Sequence, residues 1–446
     1  MSNFKNLKLI LLFFISIPFS TNGQDTQYWS KQYGTYGSLL GGTVIGAISD
    51  LSATYYNPGA IAFSKDSTLL LTTNSYQFIY LNFQDVVQTD LILDSWYSNA
   101  SKGIFAVQLP FNWLGDDKLI VSYIARNDFT FNSAGNSFTP YYNEQYTSKF
   151  LELNYSIFES WFGITWSNPL SDNVGFGVTM YVPYRSHRVL TNSLNLDYKD
   201  DEGNNKSLIM TTDYDFYNLR LLWKAGVSIE LGKVMLGLSL TTPSINLFGS
   251  GSVYALFVKS NIDTLQNVPD YANNYQEGLS TTYKSPISIG FGAAYYWKRT
   301  VLYFSAEWFN KVNPFPIMEP KDFIAQSSGE IYIYNLNYSL KSVFNFGFGI
   351  KYTISKNFTY YGGITTDRTA FDPTNLNPFV LSTWDVMHLR SGAEFKFFNL
   401  RLTLGLSYGY SGDLLRNFNF LGLFKNNETD VIYHQIDVIF GFSYSM

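Results

Sequence analysis

Ile287-Ser-Ile-Gly-Phe-Gly-Ala-Ala-Tyr-Tyr-Trp297 is the stretch that best indicates the fold. Successive side chains of an extended chain point to opposite faces, so this stretch has one large apolar face and one face of mostly small residues. The large face carries Ile287, Ile289, Phe291, Ala293, Tyr295 and Trp297, and the small face carries Ser288, Gly290, Gly292 and Ala294. Such a strand fits either a half-buried antiparallel sheet or the wall of a membrane barrel.

The same alternation recurs along the chain after residue 66. Many of the stretches are longer than the usual strand of about 5–6 residues in soluble proteins, which favours the barrel. Fourteen strands are predicted near 67–83, 102–111, 117–132, 147–167, 173–199, 207–230, 233–257, 279–298, 300–316, 327–353, 357–370, 380–397, 399–410 and 430–445.

The gaps between these stretches are alternately long and short. The short gaps are 112–116, 168–172, 231–232, 299, 354–356 and 398; the long gaps are 84–101, 133–146, 200–206, 258–278, 317–326, 371–379 and 411–429. Short periplasmic turns and longer external loops are typical of outer-membrane barrels, and an even strand number puts both termini in the periplasm. The sequence therefore predicts an all-β fold, a 14-stranded antiparallel transmembrane β-barrel over residues 67–446.

Composition agrees with this class and excludes others. Aromatic residues make up 18% and charged residues 15% of the 446 residues, as expected for an apolar exterior with aromatic girdles. The chain has no cysteine, which excludes a lipoprotein anchor, disulfides and thiolate metal sites. No basic block is present, so no nucleic-acid partner is expected, and no cofactor or metal is expected either.

The N-terminus has the regions of a secretory signal peptide. Lys5 and Lys8 form a positive start, an apolar stretch over 9–19 follows, and Thr21-Asn22-Gly23 is a small-x-small cleavage site. The apolar stretch is too short to span a bilayer. We therefore expect a signal peptide over 1–23 and a mature chain starting at Gln24, with 28 basic and 35 acidic residues and a net charge of −7.

Residues 24–66 precede the first strand and are rich in glycine. Such a short segment cannot form a core of its own. At the periplasmic end of a barrel, its natural place is inside the lumen. This region is therefore predicted to be a hatch that plugs the barrel.

The segment Gly37-Ser-Leu-Leu-Gly-Gly-Thr-Val-Ile-Gly-Ala-Ile-Ser-Asp-Leu-Ser-Ala-Thr-Tyr-Tyr-Asn-Pro-Gly-Ala-Ile-Ala62 resembles the hatch of the FadL family of outer-membrane transporters for hydrophobic compounds. That family has a Gly-rich stretch, an acidic residue, and then an aromatic residue before an Asn-Pro-Ala-Gly-like element. Here the last two residues are transposed, and the C-terminal residue is Met446 rather than an aromatic one. The matching positions, which the resemblance implies to be hatch or gating residues, are Asp50, Tyr56, Asn57, Pro58, Gly59 and Ala60.

The resemblance implies a 14-stranded barrel in the bacterial outer membrane. It further implies passive uptake of hydrophobic molecules such as long-chain fatty acids, a hatch that gates the lumen, and a lateral opening in the wall. A monomeric barrel surrounded by the lipid bilayer is expected. The alternative is a FadL-like barrel that serves as a protein partner in an outer-membrane secretion complex, as PorV does in type IX secretion. A nonspecific porin is a third interpretation, against which the filled lumen argues.

Alternation also predicts which charged residues face the lumen. The candidates for binding an anionic ligand head group are Arg220, Lys224, His388 and Arg390, since a guanidinium can bind a carboxylate with two hydrogen bonds. The competing interpretation is a structural salt bridge with Glu394 or Glu230. No enzyme is predicted, because no nucleophile-elbow pattern occurs and the three histidines lie on separate strands.

Overall fold

The structure is a computed structural model that describes residues 26–64, 69–86, 91–110, 115–141, 145–197, 206–260, 270–372, 380–411, 414–416 and 428–444. The predicted signal peptide 1–23 and its junction with Gln24 lie outside these residues. Within the described part of the chain, no helix is long and apolar enough to cross a membrane.

The N-terminal segment, residues 26–64, contains three short helices. They are α1 (Thr35–Leu39), α2 (Ala53–Tyr56) and a 3₁₀ helix (Pro58–Phe63). α2 ends where the following proline forces extended backbone on Asn57, whose φ is −155° and ψ is 96°. Pro58 is also the first residue of the 3₁₀ helix, so the chain changes direction between the two helices at Asn57.

The rest of the chain is almost entirely β. The strands are β1 (Leu69–Val86), β2 (Leu91–Leu109), β3 (Lys118–Tyr141), β4 (Gln145–Ser171), β5 (Val174–Asp197), β6 (Lys206–Leu231), β7 (Val234–Thr241), β8 (Ile245–Ser260), β9 (Asp270–Ser280), β10 (Ser288–Trp297), β11 (Thr300–Phe309), β12 (Val312–Met318), β13 (Phe323–Ile324), β14 (Ile331–Tyr332), β15 (Leu336–Leu340), β16 (Val343–Thr353), β17 (Phe358–Asp367), β18 (Val386–Phe397), β19 (Leu400–Ser411), β20 (Leu414–Arg416) and β21 (Glu428–Tyr444).

All the pairings between these strands are antiparallel, which confirms the predicted all-β antiparallel class. Over the described residues, the ladders run from β1 through β2, β3, β4, β5, β6, β7, β10, β11, β16, β17, β18, β19 and β21, and β21 pairs with β1. The circuit of pairings thus passes through fourteen strands and returns to its start. β8 and β9 extend it at one place, and β12 to β15 form two small sheets.

Several predicted strand ends are wrong. The predicted loops 84–101 and 133–146 are largely strand, because β1 and β2 leave only 87–90 between them and β3 and β4 leave only 142–144. Their Asn, Ser and Gly residues are typical of loops, yet a hydrogen-bonded ladder whose outer face meets water needs no apolar side chains on that face. Conversely, the predicted strands 279–298, 300–316 and 327–353 are each interrupted, and prolines such as Pro286 and Pro314, which lack the N–H group, lie near two of the breaks.

The alternation of the opening stretch is confirmed in β10. Ile289, Phe291 and Tyr295 are exposed on the outer face, whereas Ser288 and Gly290 are buried on the inner face. The inner face of the circuit lies against the N-terminal segment.

Inward glycines let the backbone of the N-terminal segment approach the wall. A Cβ atom added at Gly363 would lie 2.6 Å from the carbonyl carbon of Leu40, and one at Gly177 would lie 2.5 Å from the carbonyl oxygen of Pro58. Both distances are shorter than a side chain can tolerate. The inward glycines that contact the segment lie on β5, β6, β7, β10, β16, β17, β18 and β19: Gly175, Gly177, Gly226, Gly237, Gly290, Gly292, Gly347, Gly349, Gly363, Gly392 and Gly405.

Candidate functional site

Asn57 joins the N-terminal segment to the wall. Its side-chain Nδ2 donates to the carbonyl oxygens of Ile45 and Val227, each at 2.9 Å, and its Oδ1 accepts from the Gly59 N–H at 3.1 Å. The side chain therefore caps the 3₁₀ helix and bonds to β6 at once. The structure brings Pro58, Gly59 and Ala60 to this contact, where all three are buried.

Asp50 and Tyr56 hold the segment together internally. The Asp50 carboxylate accepts hydrogen bonds from the Thr35 N–H at 3.0 Å, from the Thr35 hydroxyl at 2.9 Å and from Ser52. The Tyr56 hydroxyl accepts from the Tyr33 N–H at 2.7 Å. Both side chains are buried, so the predicted hatch residues form one connected structure rather than a binding surface.

A cavity of about 80 Å³ lies between the N-terminal segment and the wall. It has room for several waters or a ligand head group, but it is smaller than the roughly 150 Å³ of an engineered cavity that binds benzene. Five cationic side chains and two carboxylates line it, which leaves an excess of positive charge. These charged residues are Arg126, Arg185, Arg220, Lys224, Lys284, Glu159 and Glu307.

Two arginines share one carboxylate in this cavity. Arg185 Nη1 lies 2.9 Å from Glu159 Oε2, and Arg220 Nη2 lies 2.9 Å from Glu159 Oε1. Both guanidinium groups lie over the ring of Tyr283, at 4.1 and 4.6 Å from its centroid. The arginines are 1% and 0% exposed. Two buried cations against one anion make this a place that favours a second anion.

Lys224 lies where the cavity meets the N-terminal segment. Its Nζ is 3.9 Å from Glu307 Oε1 and 5.0 Å from the centroid of the Tyr55 ring. Glu307 Oε2 accepts a hydrogen bond of 3.0 Å from the indole N–H of Trp29. Tyr55 and Trp29 belong to the segment, so Lys224 and Glu307 tie the charged cavity to it.

His388 and Arg390 are buried on the inner face, as alternation predicts, but they are not among the residues that line this cavity. His388 Nε2 lies 3.7 Å from Asp367, and Arg390 donates to Thr365 at 3.0 Å and to the Ser30 carbonyl at 3.3 Å. The four lumen candidates thus divide into a pair at the cavity and a pair elsewhere.

The proposed salt-bridge partners Glu394 and Glu230 are wrong. The carboxylates within ion-pair distance of Arg220, Lys224 and His388 are Glu159, Glu307 and Asp367. Each predicted acid lies on the same strand as its predicted cations: Glu230 on β6 with Arg220 and Lys224, and Glu394 on β18 with His388 and Arg390. Salt bridges in a sheet form across strands, and a single sequence does not give the register between strands.

The wall is interrupted between β2 and β3. Within the described residues, their ladder runs from the pair Leu109 and Leu119 to the pair Ile104 and Ile124 and stops there. Both strands continue beyond it, β2 back to Leu91 and β3 on to Tyr141. A bulge at Arg126 marks the interruption, where Arg126 Nη2 donates to the Tyr28 carbonyl at 2.8 Å. The Tyr33 hydroxyl donates to the Ala125 carbonyl at 3.2 Å. The N-terminal segment therefore lies directly behind this interruption.

Known proteins resemble this chain in structure and not in sequence. No family model and no curated protein sequence matches it. A Pseudomonas aeruginosa FadL homologue matches with a TM-score of 0.61 at 15% identity, over 94% of this chain and 99% of that one. The P. putida toluene transporter TodX matches with 0.59 at 11% identity, over 93% and 99%.

The Ralstonia pickettii toluene transporter TbuX matches with a TM-score of 0.53 at 11% identity, over 93% of this chain and 98% of that one. At such low identities, the likeness is one of fold. The expected resemblance is confirmed at that level. This chain has the fold of the FadL homologue and of the toluene transporters TodX and TbuX.

Proposed function

We propose that this protein is a passive transporter for hydrophobic molecules with an anionic group, such as long-chain fatty acids, and that residues 26–64 are the hatch that gates it. It would act in the bacterial outer membrane as a monomeric barrel with both termini in the periplasm. The observation that carries the proposal is the cavity around Arg220 and Lys224, which has an excess of cations and borders the hatch.

Ligand chemistry follows from the lining of that cavity. A carboxylate placed near Arg185 and Arg220 gains charge-assisted hydrogen bonds that a neutral hydrocarbon cannot make. TodX and TbuX are named as toluene transporters, and toluene carries no such group. The charged lining therefore favours an anionic amphiphile over a neutral aromatic compound.

Gating follows from the size of the cavity and from its border. At about 80 Å³ it accommodates a head group but not a long alkyl chain. The alkyl chain of the ligand must therefore occupy the space where the hatch now lies, or leave the barrel through the wall. An anion arriving at Lys224 competes with Glu307, which also bonds to Trp29 of the hatch. Ligand binding would thereby favour a displaced hatch.

The interruption between β2 and β3 supports a lateral exit. It begins roughly 15 Å above the periplasmic strand ends, for strands tilted by about 40°. This level lies within the apolar band of a bilayer. Tyr28 and Tyr33 of the hatch are bonded beside it, so movement of the hatch would also open this exit.

The test is uptake by liposomes that contain the purified full-length protein. Oleate should enter these liposomes several-fold faster than liposomes without protein, whereas a small sugar should not. Swelling in the sugar would instead indicate a porin. No oleate uptake, together with a stoichiometric protein partner in mass spectra of the barrel purified in mild detergent, would indicate a structural role in an outer-membrane complex.

A further inference from the structure

The wall has a second interruption, between residues 242–249 and 281–287. The β7–β10 ladder ends at the pair Thr241 and Ser288, and the β8–β9 ladder begins only at Ser250 and Ser280. Between these pairs the described backbones form no ladder. Single hydrogen bonds join the two segments instead: from Ser285 N–H to the Ser244 hydroxyl at 2.9 Å, from the Asn246 side-chain amide to the Thr281 carbonyl at 3.4 Å, and from Thr281 N–H to the Gly249 carbonyl at 3.3 Å.

Local chemistry explains why the two backbones separate. Pro243 and Pro286 lack the N–H group that a ladder needs. Residues 281–287 also bond on their other side, where Thr282 N–H donates to the Ile317 carbonyl at 2.9 Å. The Asn310 N–H likewise donates to the Ile287 carbonyl at 3.0 Å. Both ends of the segment stay attached to β6 and β8. The Thr281 carbonyl accepts from the side-chain amides of Asn218 at 3.1 Å and Asn246 at 3.4 Å, and Arg220 donates to the Ser285 hydroxyl at 3.2 Å. These bonds fix the position of the gap.

The charged cavity lies on the inner side of this interruption. Thr241, at the end of β7, and residues 283–286 all line it. Tyr283, whose ring lies under Arg185 and Arg220, belongs to the separated segment itself. The site that would hold an anionic head group is therefore built partly from one edge of the gap.

The outer side of the interruption is apolar. Ile245 is 53%, Leu247 48% and Phe248 59% exposed on β8. Thr241 is seven residues above Val234 along β7, or roughly 18 Å for a strand tilted by about 40°. The gap begins at this height, so its apolar edge faces the outer leaflet.

We infer that this interruption is a second lateral opening. The tail of an anionic amphiphile, held by its head group at Arg185 and Arg220, passes between 242–249 and 281–287 and lies against Ile245, Leu247 and Phe248 in the outer leaflet. The inference rests on the proposed function. It concerns a different part of the wall from the β2–β3 interruption, because strands β3 to β7 separate the two.

Photocrosslinking tests where the tail lies. The probe is palmitate with a diazirine at the end of its chain, bound to the full-length protein in liposomes and mapped by mass spectrometry. Crosslinks at 245–248 or 281–286 support the inference. Crosslinks only on β2 and β3 overturn it and leave transport standing, whereas no crosslink that unlabelled palmitate displaces overturns transport as well. The methyl ester of the probe should label about tenfold less, because it lacks the charge.

Blocking the opening is a second test, and the absence of native cysteine makes it clean. A bulky maleimide on Leu247→Cys should slow oleate uptake at least about threefold, the size of effect expected when roughly 0.6 kcal/mol is added to the barrier of the controlling step. The same label on Leu406→Cys, an outer-face residue of β19 that is at least as exposed as Leu247, should have no effect. A third variant, Phe105→Cys, carries the same label beside the β2–β3 interruption. If the labels on Leu247→Cys and Leu406→Cys give equal uptake while the label on Phe105→Cys blocks it, the second opening alone is overturned.

Discussion

The side-chain amide of Asn57 donates to the carbonyl oxygen of Val227 at 2.9 Å, and this bond attaches the N-terminal segment to β6. The same nitrogen bonds to Ile45, and the side-chain oxygen caps Gly59. One buried side chain thus satisfies three backbone groups on three different parts of the chain.

Replacing Asn57 with alanine should loosen the segment. Buried carbonyls would lose their donor and the 3₁₀ helix its cap, at a cost of about 2–4 kcal/mol to the docked segment. Amide hydrogen exchange over 40–64 should accelerate while exchange in the strands stays unchanged. Asn273→Ala, which removes an equivalent amide on the exposed surface, is the control. Equal protection of 40–64 in both variants would contradict the assigned role of Asn57.

Two adjacent glycines of β17 offer a matched test of the close approach between segment and wall. Gly363→Ala places a methyl group 2.6 Å from the carbonyl carbon of Leu40 and should destabilise docking by about 1–3 kcal/mol. Gly362→Ala meets nothing closer than 3.5 Å and should be neutral. Conductance of each variant in planar bilayers reports the outcome. Equal conductance would show that the wall tolerates a side chain at this contact.

Lys31 should make docking of the segment depend on pH. Burial lowers the pKa of Lys31 to about 7, opposed by Asp128 and Asp437, and among the described residues its Nζ has no hydrogen-bond partner. An undocked Lys31 keeps its proton up to a pKa of about 10.5. Between pH 7 and about 10.5, undocking of the segment therefore takes up a proton. The docked state gains stability as the pH rises through this range, and this gain is absent below pH 7.

The Lys31→Met variant isolates this effect. It should dock more tightly at pH 7, by about 1–4 kcal/mol, and should lose the pH dependence. Protease resistance of the segment, followed from pH 7 to 10, measures both changes. Lys311→Met, at an exposed position, is the control. A pH dependence that survives in the Lys31 variant would assign it to another group.

Arg220 and Glu159 should affect ligand affinity in opposite directions. Arg220→Gln removes a cation from the cavity and should weaken palmitate binding about tenfold, whereas Glu159→Gln removes the competing anion and should strengthen it. Isothermal titration of the detergent-purified protein measures both. Arg188→Gln breaks an exposed pair with Asp213 on the outer face and should leave affinity unchanged. A change of the same sign in both cavity variants would exclude a site governed by charge.

The β class could be predicted because successive side chains of a strand lie on opposite faces of the sheet, and the two faces have different environments. In β10 the outer residues Phe291 and Tyr295 are large and the inner ones small, so the faces separate clearly. Higher up, Asn132 of β3 pairs with Asn154 of β4, and the outward position is polar. Water on the outer side removes the contrast there, and the predicted strands end too soon.

The candidate site was only partly predictable. Alternation placed Arg220 and Lys224 on the inner face, where they are buried. Glu159 and Arg185 were missed, although they are directly paired across β4 and β5. The only signal in the sequence is a charged residue at an inward position on each of two neighbouring strands, and using it requires the register. Tyr283 was missed because it lies in an interruption that looked like continuous strand.

The inward glycines have a consequence for how this fold diverges. Part of the contact between the wall and the N-terminal segment is made by main-chain atoms, such as the Leu40 carbonyl against Gly363 and the Pro58 carbonyl against Gly177. Main-chain contacts do not depend on which side chains the segment carries. Positions of the segment that meet the wall only through main-chain atoms can therefore accept substitutions while its path stays the same, whereas Asn57, whose side chain bonds to β6, cannot. A chain can in this way keep its shape after sequence similarity has faded, and the FadL homologue shares the fold of this chain at 15% identity.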